Sequence, residues 1–355
     1  MKVCVISGSP KGENSVTLQT VLYLAKRFPR DEFVIFHAGQ RIRSLERGLT
    51  PLREALKDVK VVLFCYPVYT FLVPSQLHRL IELMKDPENG IDMRGKYAAQ
   101  ISTSMHFYDM TAQEFIRENC LDMGMRYLGG LSAGMDDLLK KEGRSEAFEF
   151  WKLVHWKAKE HIYETAGEIP ARHDARPSGS RERRLSHFQT PAETVIVSAA
   201  AKDDLKLKGM IDEFRAVYQY PTKVVDLADF PFKGGCLGCF HCASDGTCVY
   251  NDGFSDYLRE HINSADAVVF AYTIKDHSMG YRFKLYDDRQ FCNGHRTVTM
   301  GKPVGYLVDG NLTQEENLRT LMEARAQVGG NYLAGIASDE SDPDGQIDRM
   351  TMTLV

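Results

Sequence analysis

The feature that most constrains this chain is an alternation, run through twice, of short apolar β-branched runs with segments of helical periodicity. In the first half the apolar runs cover residues 3–6, 33–36, 61–65, 98–102 and 127–131, and helical patterns cover 15–27, 75–84, 111–123 and 146–163. Strands that alternate with helices need crossover connections, which lay helices on both faces of a parallel sheet and bury its central strands completely. The run at 61–65 is unbroken in the way such a strand requires. A five-stranded doubly wound α/β sheet of order 2-1-3-4-5 is therefore expected, with ligands at the carboxyl ends of its strands.

The same grammar restarts further on, with strands expected at 194–197, 223–225, 267–272, 304–308 and 332–336 and helices at 205–218, 254–262, 282–291 and 315–328. After the last strand so little chain follows that the closing helix is expected to be brief or cut short. Between the halves the periodicity stops in a polar stretch holding Pro170, Pro177, Arg172, Arg176, Arg181, Arg183 and Arg184, read as a solvated linker, with a basic docking patch as the alternative. The expected layout is a first domain at 1–166, a linker at 167–191 and a second domain at 192–355. A chain of 355 residues is long enough for two such cores.

Composition narrows the partners. The formal net charge of -4 comes from interspersed acids and bases, so no broad basic field draws the chain to nucleic acid. No apolar run approaches the roughly 20 residues needed to span a bilayer, and the opening apolar run of residues 3–6 is far shorter than a signal peptide requires, so none is expected. A cytoplasmic protein with small-molecule and protein partners, and no membrane association, is expected.

Three loops of the first half lie where ligands should sit. The first, Ser7-Gly8-Ser9-Pro10-Lys11-Gly12-Glu13-Asn14-Ser15-Val16-Thr17, joins the opening strand to the opening helix, where free backbone N–H groups and the helix dipole favour an anion. Hydroxyls of Ser7, Ser9, Ser15 and Thr17, with Pro10, Lys11 and Asn14, make a candidate phosphate cradle without the glycine pattern of a dinucleotide or ATP site. Taken alone, the loop reads equally well as a turn followed by a Ser-capped helix. The second loop carries Pro67, Val68, Tyr69, Thr70 and Phe71, and the third carries Ser102, Thr103, Ser104 and His106; both suit the flank of a flat ring.

On Gly8-Ser9-Pro10-Lys11 with Asn14, Ser15 and Thr17, then Pro67-Val68-Tyr69, then Pro74-Ser75-Gln76-Leu77, the sequence resembles the NADPH-dependent FMN reductase and iron-sulfur flavoprotein branch of the flavodoxin-like superfamily. The resemblance implies two flavodoxin-like domains in tandem. It implies FMN in the first, its phosphate on the first loop and its isoalloxazine between the second and third, with NAD(P)H as a reducing substrate that stacks on the flavin. No catalytic residue is assigned: the flavin carries the chemistry, and His106 is read as a flavin-edge or packing residue rather than an essential acid or base.

The second half departs from that pattern. Its first loop, Ser198-Ala199-Ala200-Ala201-Lys202-Asp203-Asp204, replaces hydroxyls with alanines and adds carboxylates that repel phosphate, so a second FMN is not expected. Instead it holds Cys236, Cys239, Cys242 and Cys248 in a C-x2-C-x2-C-x5-C run within a glycine-rich loop. Four thiolates at that spacing suit a four-iron cluster; redox-active thiols and zinc remain open, although zinc more often takes two separated pairs. The run is similar to that of the iron-sulfur flavoproteins, which implies a [4Fe-4S] cluster there. The segment from Phe283 to Arg289 is read as a helix that packs against a partner domain. Relatives of this kind pair as dimers, which implies an intramolecular pseudo-dimer here, with a further homodimer as an option. The expected function is an FMN-dependent oxidoreductase passing electrons from NAD(P)H or a reduced protein donor to a small acceptor or partner protein. The alternatives are an electron carrier without a small-molecule substrate and a scaffold whose cysteine loop holds zinc.

Overall fold

A computed structural model of the protein describes residues 1–167, 193–293 and 296–354, and the statements below concern those residues. Each half contains a five-stranded, all-parallel sheet. In the first, β1 (Lys2–Ser7), β2 (Glu32–Phe36), β3 (Val61–Pro67), β4 (Tyr97–Ser104) and β5 (Arg126–Gly134) lie in the order β2-β1-β3-β4-β5. All of β4 and nearly all of β3 are buried, which is why β3 reads as an unbroken apolar run, whereas β4 also buries Gln100, Ser102, Thr103 and Ser104. Successive side chains of β1 serve opposite faces: Cys4 and Ile6 join Phe64, Leu77 and Phe115 in one core, and Val3 and Val5 join Leu18, Val21 and Trp151 in the other.

Helix α1 (Val16–Arg27) starts where the Ser15 side chain accepts the Leu18 N–H at 3.4 Å, and it ends on Lys26 and Arg27, whose charges suit the carboxyl end of the helix dipole. Two short helices, α2 (Ala38–Leu45) and α3 (Thr50–Ala55), follow β2 where no helix was expected: Ala38, Ile42, Leu45, Leu49, Leu52 and Leu56 recur at helical spacing and face the core, but Gly48 and Pro51 break the segment into two short pieces among many charges. Helices α4 (Ser75–Lys85) and α5 (Met110–Asp122) lie close to their expected spans, and α6 (Lys141–Glu160) begins earlier than the expected residue 146. Trp151 of α6 is fully buried, packs on Phe33 with ring centroids 5.1 Å apart, and donates its indole N–H to Asp31 at 2.9 Å. The same carboxylate meets His155 and the Met1 amine, each at 2.6 Å.

The second sheet comprises β6 (Thr194–Ser198), β7 (Thr222–Asp226), β8 (Ala267–Thr273), β9 (Pro303–Asp309) and β10 (Tyr332–Ser338) in the order β10-β9-β8-β6-β7, which is the same doubly wound order. Its helices are α7 (Leu205–Val217), α8 (Phe254–Leu258), α9 (Gly280–Arg289), α10 (Glu316–Gly329) and α11 (Pro343–Thr353). The expected helix at 254–262 is instead the short α8 followed by one π-helical turn, Arg259–Asn263. The closing helix is fuller than expected. Asp342 caps it through the Gly345 N–H at 3.1 Å, Pro343 opens it, and Ile347 and Met350 bury its inner face.

The chain divides into two compact units, Met1–Ile169 with Gly235–Cys239, and Pro170–Gly234 with Phe240–Val355. Residues 168–191 of the expected linker lie outside the described residues. No helix among the described residues is long and apolar enough to cross a membrane. Trp151→Ala should cost about 3–5 kcal/mol of stability in a denaturant titration, since it empties a buried volume and leaves Asp31 short of a donor.

Candidate functional site

Register decides which loops meet. Ser7 pairs with Cys65 and Pro67 with Thr103, so β1, β3 and β4 end side by side and their following loops share one edge of the first sheet. All the flavin-site residues expected from sequence lie on or beside these three loops.

In the β1–α1 loop, Ser9 and Ser15 are buried and already engaged: Ser9 Oγ accepts the Lys11 N–H at 3.2 Å, and Ser15 Oγ caps α1. The helix-cap reading of Ser15 thus holds, and it does not exhaust the loop. Ser7 Oγ and Thr17 Oγ1 are buried without a protein hydrogen-bond partner, as is Thr103 Oγ1 at the end of β4. Buried hydroxyls left unpaired are costly, so such a trio calls for an external acceptor or donor. The first-turn N–H groups of Val16 and Thr17 add donors that the helix itself cannot satisfy. Pro10 is buried, Lys11 half-buried and Asn14 exposed.

Sequence reasoning missed Gly39 at the start of α2. A Cβ there would lie 2.5 Å from the carbonyl oxygens of Gly8 and Ser9, so only glycine lets α2 support the back of the loop. The neighbouring sequence gives no periodic signal that could have exposed this contact.

The β3–α4 loop is a tight hairpin in which Tyr69 and Leu72 exchange backbone hydrogen bonds of 2.8 and 3.0 Å. Thr70 and Phe71 at its tip both have positive φ, 44° and 65°, a costly conformation for a β-branched and an aromatic residue. In the β4–α5 loop His106 and Tyr108 do the same, at 56° and 48°. Strain gathered on two adjacent loops persists only where surrounding contacts enforce it. One enforcing residue is Thr111 of α5, whose hydroxyl lies between the carbonyls of Phe71 and, at 2.7 Å, Tyr108. Another is the Val68 N–H, which donates to Thr103 O at 2.9 Å. Phe71, Phe107 and Tyr108 pack with centroids 5.3–5.9 Å apart. His106 is exposed, and its Nδ1 is 3.3 Å from Asp109, which also receives the Ser104 hydroxyl at 2.9 Å and the Ser132 hydroxyl. Burial acts to raise the Asp109 pKa, but the Ser132 and Ser104 hydrogen bonds outweigh it and keep the group below its ordinary value. Asp109 and Thr111, neither of them expected from sequence, are thus what hold the third loop in place.

The second sheet offers a different chemistry at the matching edge. The Ala199 N–H donates to Ala271 O at 2.8 Å, as the Gly8 N–H does to Cys65 O, so Ser198 takes the position of Ser7. Asp204 replaces Ser15 as the helix cap, accepting the Leu207 N–H at 3.2 Å, and receives the Thr273 hydroxyl. Asp309 closes β9 and Asp339 follows β10, bonded to the Gly310 N–H at 2.8 Å. Asp309 is pushed up to about 6, first by burial, then by its hydrogen bond with Asp339 and the nearby charges of Asp339 and Asp204. Three carboxylates at this edge make a negative environment where the first sheet presents neutral hydroxyls.

Of the four loop cysteines, Cys239 is exposed and Cys236, Cys242 and Cys248 are half-buried. Cys236 and Cys239 fall in the first compact unit, and Cys242 and Cys248 in the second. The Gly238 N–H donates to Cys236 Sγ at 3.4 Å and the Cys242 thiol donates to Phe291 O at 3.2 Å, while the Gln76 amide of α4 donates to Cys236 O at 3.1 Å. Thiol donors of this kind fit a soft metal or an iron-sulfur group. The segment from Phe283 to Arg289 is helical, as expected, and buries Lys284, Asp287, Asp288 and Arg289.

Two doubly wound parallel sheets with these loop ends define a flavodoxin-like α/β protein. Residues 1–137 match the model of the family described as NADPH-dependent FMN reductase, in agreement with the resemblance carried by the first-half motifs. A curated relative, an iron-sulfur flavoprotein of Archaeoglobus fulgidus, is 22% identical over 155 residues, covering 34% of this chain and 70% of the relative. Among solved structures, an FMN-dependent NADH-azoreductase from Bacillus anthracis in complex with FMN is 12% identical, with 45% of this chain and 98% of that one covered and a TM-score of 0.34. An NAD(P)H:quinone oxidoreductase from Methanothermobacter marburgensis is 9% identical, with 47% and 99% covered and a TM-score of 0.34.

The raised Asp309 pKa has a sign that can be tested. Its folded form holds a proton that the unfolded chain has lost, so its contribution to stability falls as pH rises from the ordinary carboxylate range to about 6 and stays low above. Asp309→Asn should therefore raise the melting temperature at neutral pH, with the gain vanishing below about pH 4, where both forms are protonated. Melting curves across that range check it.

Proposed function

We propose that this chain is an FMN-dependent oxidoreductase that binds one FMN on the first domain, residues 1–166, and accepts electrons from NAD(P)H or a reduced protein donor for delivery to a small acceptor or a partner. The observation that carries the reading is the set of buried hydroxyls of Ser7, Thr17 and Thr103, which have no protein partner and stand at the loops ending β1 and β4. The match of residues 1–137 to the FMN reductase family supports it.

When bound, FMN supplies the hydride and electron chemistry. The protein's part is to bind and orient. Ser7, Ser9, Pro10, Lys11, Asn14, Ser15 and Thr17 would hold the phosphate through hydroxyls, first-turn N–H groups and the Lys11 charge. Pro67, Val68, Tyr69, Thr70, Phe71, Ser102, Thr103, Ser104 and His106 would border the ring, on loops whose strained backbone is fixed by Thr111 and Asp109. A rigid border keeps one ring face open for a nicotinamide or an acceptor and limits access of bulk water.

The cysteine loop would be a second redox element, with Cys236, Cys239, Cys242 and Cys248 as ligands of a [4Fe-4S] cluster. Support comes from the thiol donor set and its spacing along one loop.

Anaerobically purified protein should show flavin bands near about 375 and 450 nm, with iron and sulfide if the cluster is present, and should oxidise NAD(P)H. Thr17→Val, which keeps the shape and removes one hydroxyl, should weaken FMN binding about tenfold in a fluorescence titration. A preparation that holds zinc, lacks flavin and takes up none when FMN is supplied would sink the reading.

A further inference from the structure

The second compact unit contains a buried guanidinium that the flavin chemistry does not use. Arg289, the last residue of α9, is 1% exposed. Its Nη1 donates to Gly234 O and to Asp252 Oδ2, both at 2.9 Å, and its Nη2 donates to Asp252 Oδ1 at 2.7 Å. Gly234 is the residue where the cysteine-bearing segment begins and Asp252 lies where it ends, so one planar fork ties both stems of that loop. Asp252 reinforces the closure by accepting the Lys233 N–H at 3.2 Å from the first stem and the Phe254 N–H at 3.3 Å beyond the second. Phe232, Tyr250 and Phe254 surround the guanidinium with ring centroids 5.8, 4.8 and 5.0 Å away.

The residues just after Arg289 seat the far half of the loop. Phe291 O receives the Cys242 thiol at 3.2 Å, and Ser255 Oγ, at the start of α8, receives the Cys248 N–H at 3.1 Å. The end of α9 thus acts as a platform beneath the loop, with Arg289 as its clamp.

Stability alone does not explain the choice of residue. A buried ion pair is often no better than well-packed apolar side chains of similar volume, and three aromatic rings are at hand to receive one. What an apolar side chain cannot do is bond two strands of loop at once, and what lysine cannot do is bond both in a fixed plane.

We propose that Arg289 is the positioning residue of the cysteine loop, holding the stems at Gly234 and Asp252 at a fixed separation so that the Cys242 and Cys248 thiols of the second unit keep one arrangement. This goes beyond the flavin reading and does not depend on it, since every contact involved lies in the second unit.

The test uses the full chain, reduced, as wild type, Arg289→Met, Arg289→Lys and Asp252→Asn. Hydrogen exchange is followed for peptides covering 235–251 and for the strands of the second sheet, and alkylation by iodoacetamide is followed at each cysteine by mass spectrometry. In Arg289→Lys and Arg289→Met, exchange in 235–251 should rise about tenfold, the equivalent of one or two lost hydrogen bonds. Alkylation of Cys242 and Cys248 should rise with it. The second-sheet strands should keep their protection, and Cys4, Cys65 and Cys120 of the first unit should stay unreactive. A purely structural role would instead loosen strands and loop together. Should Arg289→Met unfold the second unit, Arg289→Lys and Asp252→Asn decide, because each keeps polarity at the site while breaking the two-stem fork. Wild-type loop exchange and thiol reactivity in the folded variants would overturn the proposal.

Discussion

The structure depends on the parallel pairing that sets β1, β3 and β4 side by side with their carboxyl ends level. Parallel strands must return through crossover helices, so each strand end is followed by a loop that climbs to a helix start, and each helix start brings unsatisfied N–H groups. Ser7, Pro67 and Thr103 fall at that edge because the register pairs Ser7 with Cys65 and Pro67 with Thr103. A one-residue shift would turn the buried hydroxyls of Ser7 and Thr103 to the opposite face of the sheet.

The two sheets repeat this geometry and fill it with opposite chemistry. At the first edge Ser7, Thr17 and Thr103 present buried neutral hydroxyls able to accept or donate, and the buried carboxylate there, Asp109, is engaged by the Ser104 and Ser132 hydroxyls. At the second, Asp309 is buried with Asp204 and Asp339 half-buried nearby, and burial with these neighbours pushes Asp309 up to about 6. The hairpins after the third strand of each sheet are alike: Tyr69 and Leu72 exchange backbone bonds around Thr70 and Phe71, and Lys275 and Ser278 do so around Asp276 and His277, all four tip residues with positive φ. Backbone form has been kept where the electrostatics of the edge have changed. Charge is also buried elsewhere in the second unit, on α9, where Lys284 and Asp288 pair and Arg289 reaches the stems of the cysteine loop.

The fold was legible because its signal is local and repeated: ten apolar runs spaced by helical patterns specify ten strands, and the observed ladders use all of them. The misses have local causes too. The apolar stripe of α2 and α3 is cut into two short pieces by Gly48 and Pro51, and α8 gives way to a π turn that no periodicity announces. The hydroxyl loop was visible as a string of small polar residues, but its division of labour was not. Ser9 and Ser15 are taken up by backbone N–H groups, whereas the Ser7 and Thr17 hydroxyls have no protein partner.

By itself, the sequence determined the strand–helix alternation, the parallel sheets that follow from it, and the residue types at each strand end, since these depend on neighbours along the chain. Only the tertiary structure decided that Gly39 backs the β1–α1 loop, that Thr111 and Asp109 lock the strained loops, and that Arg289 joins Gly234 to Asp252. Gly39 reaching Gly8 and Ser9, Thr111 reaching Phe71, Ser132 reaching Asp109 and Arg289 reaching Gly234 link residues far apart in sequence, through distances and angles fixed by packing, and no pattern read along the chain encodes them.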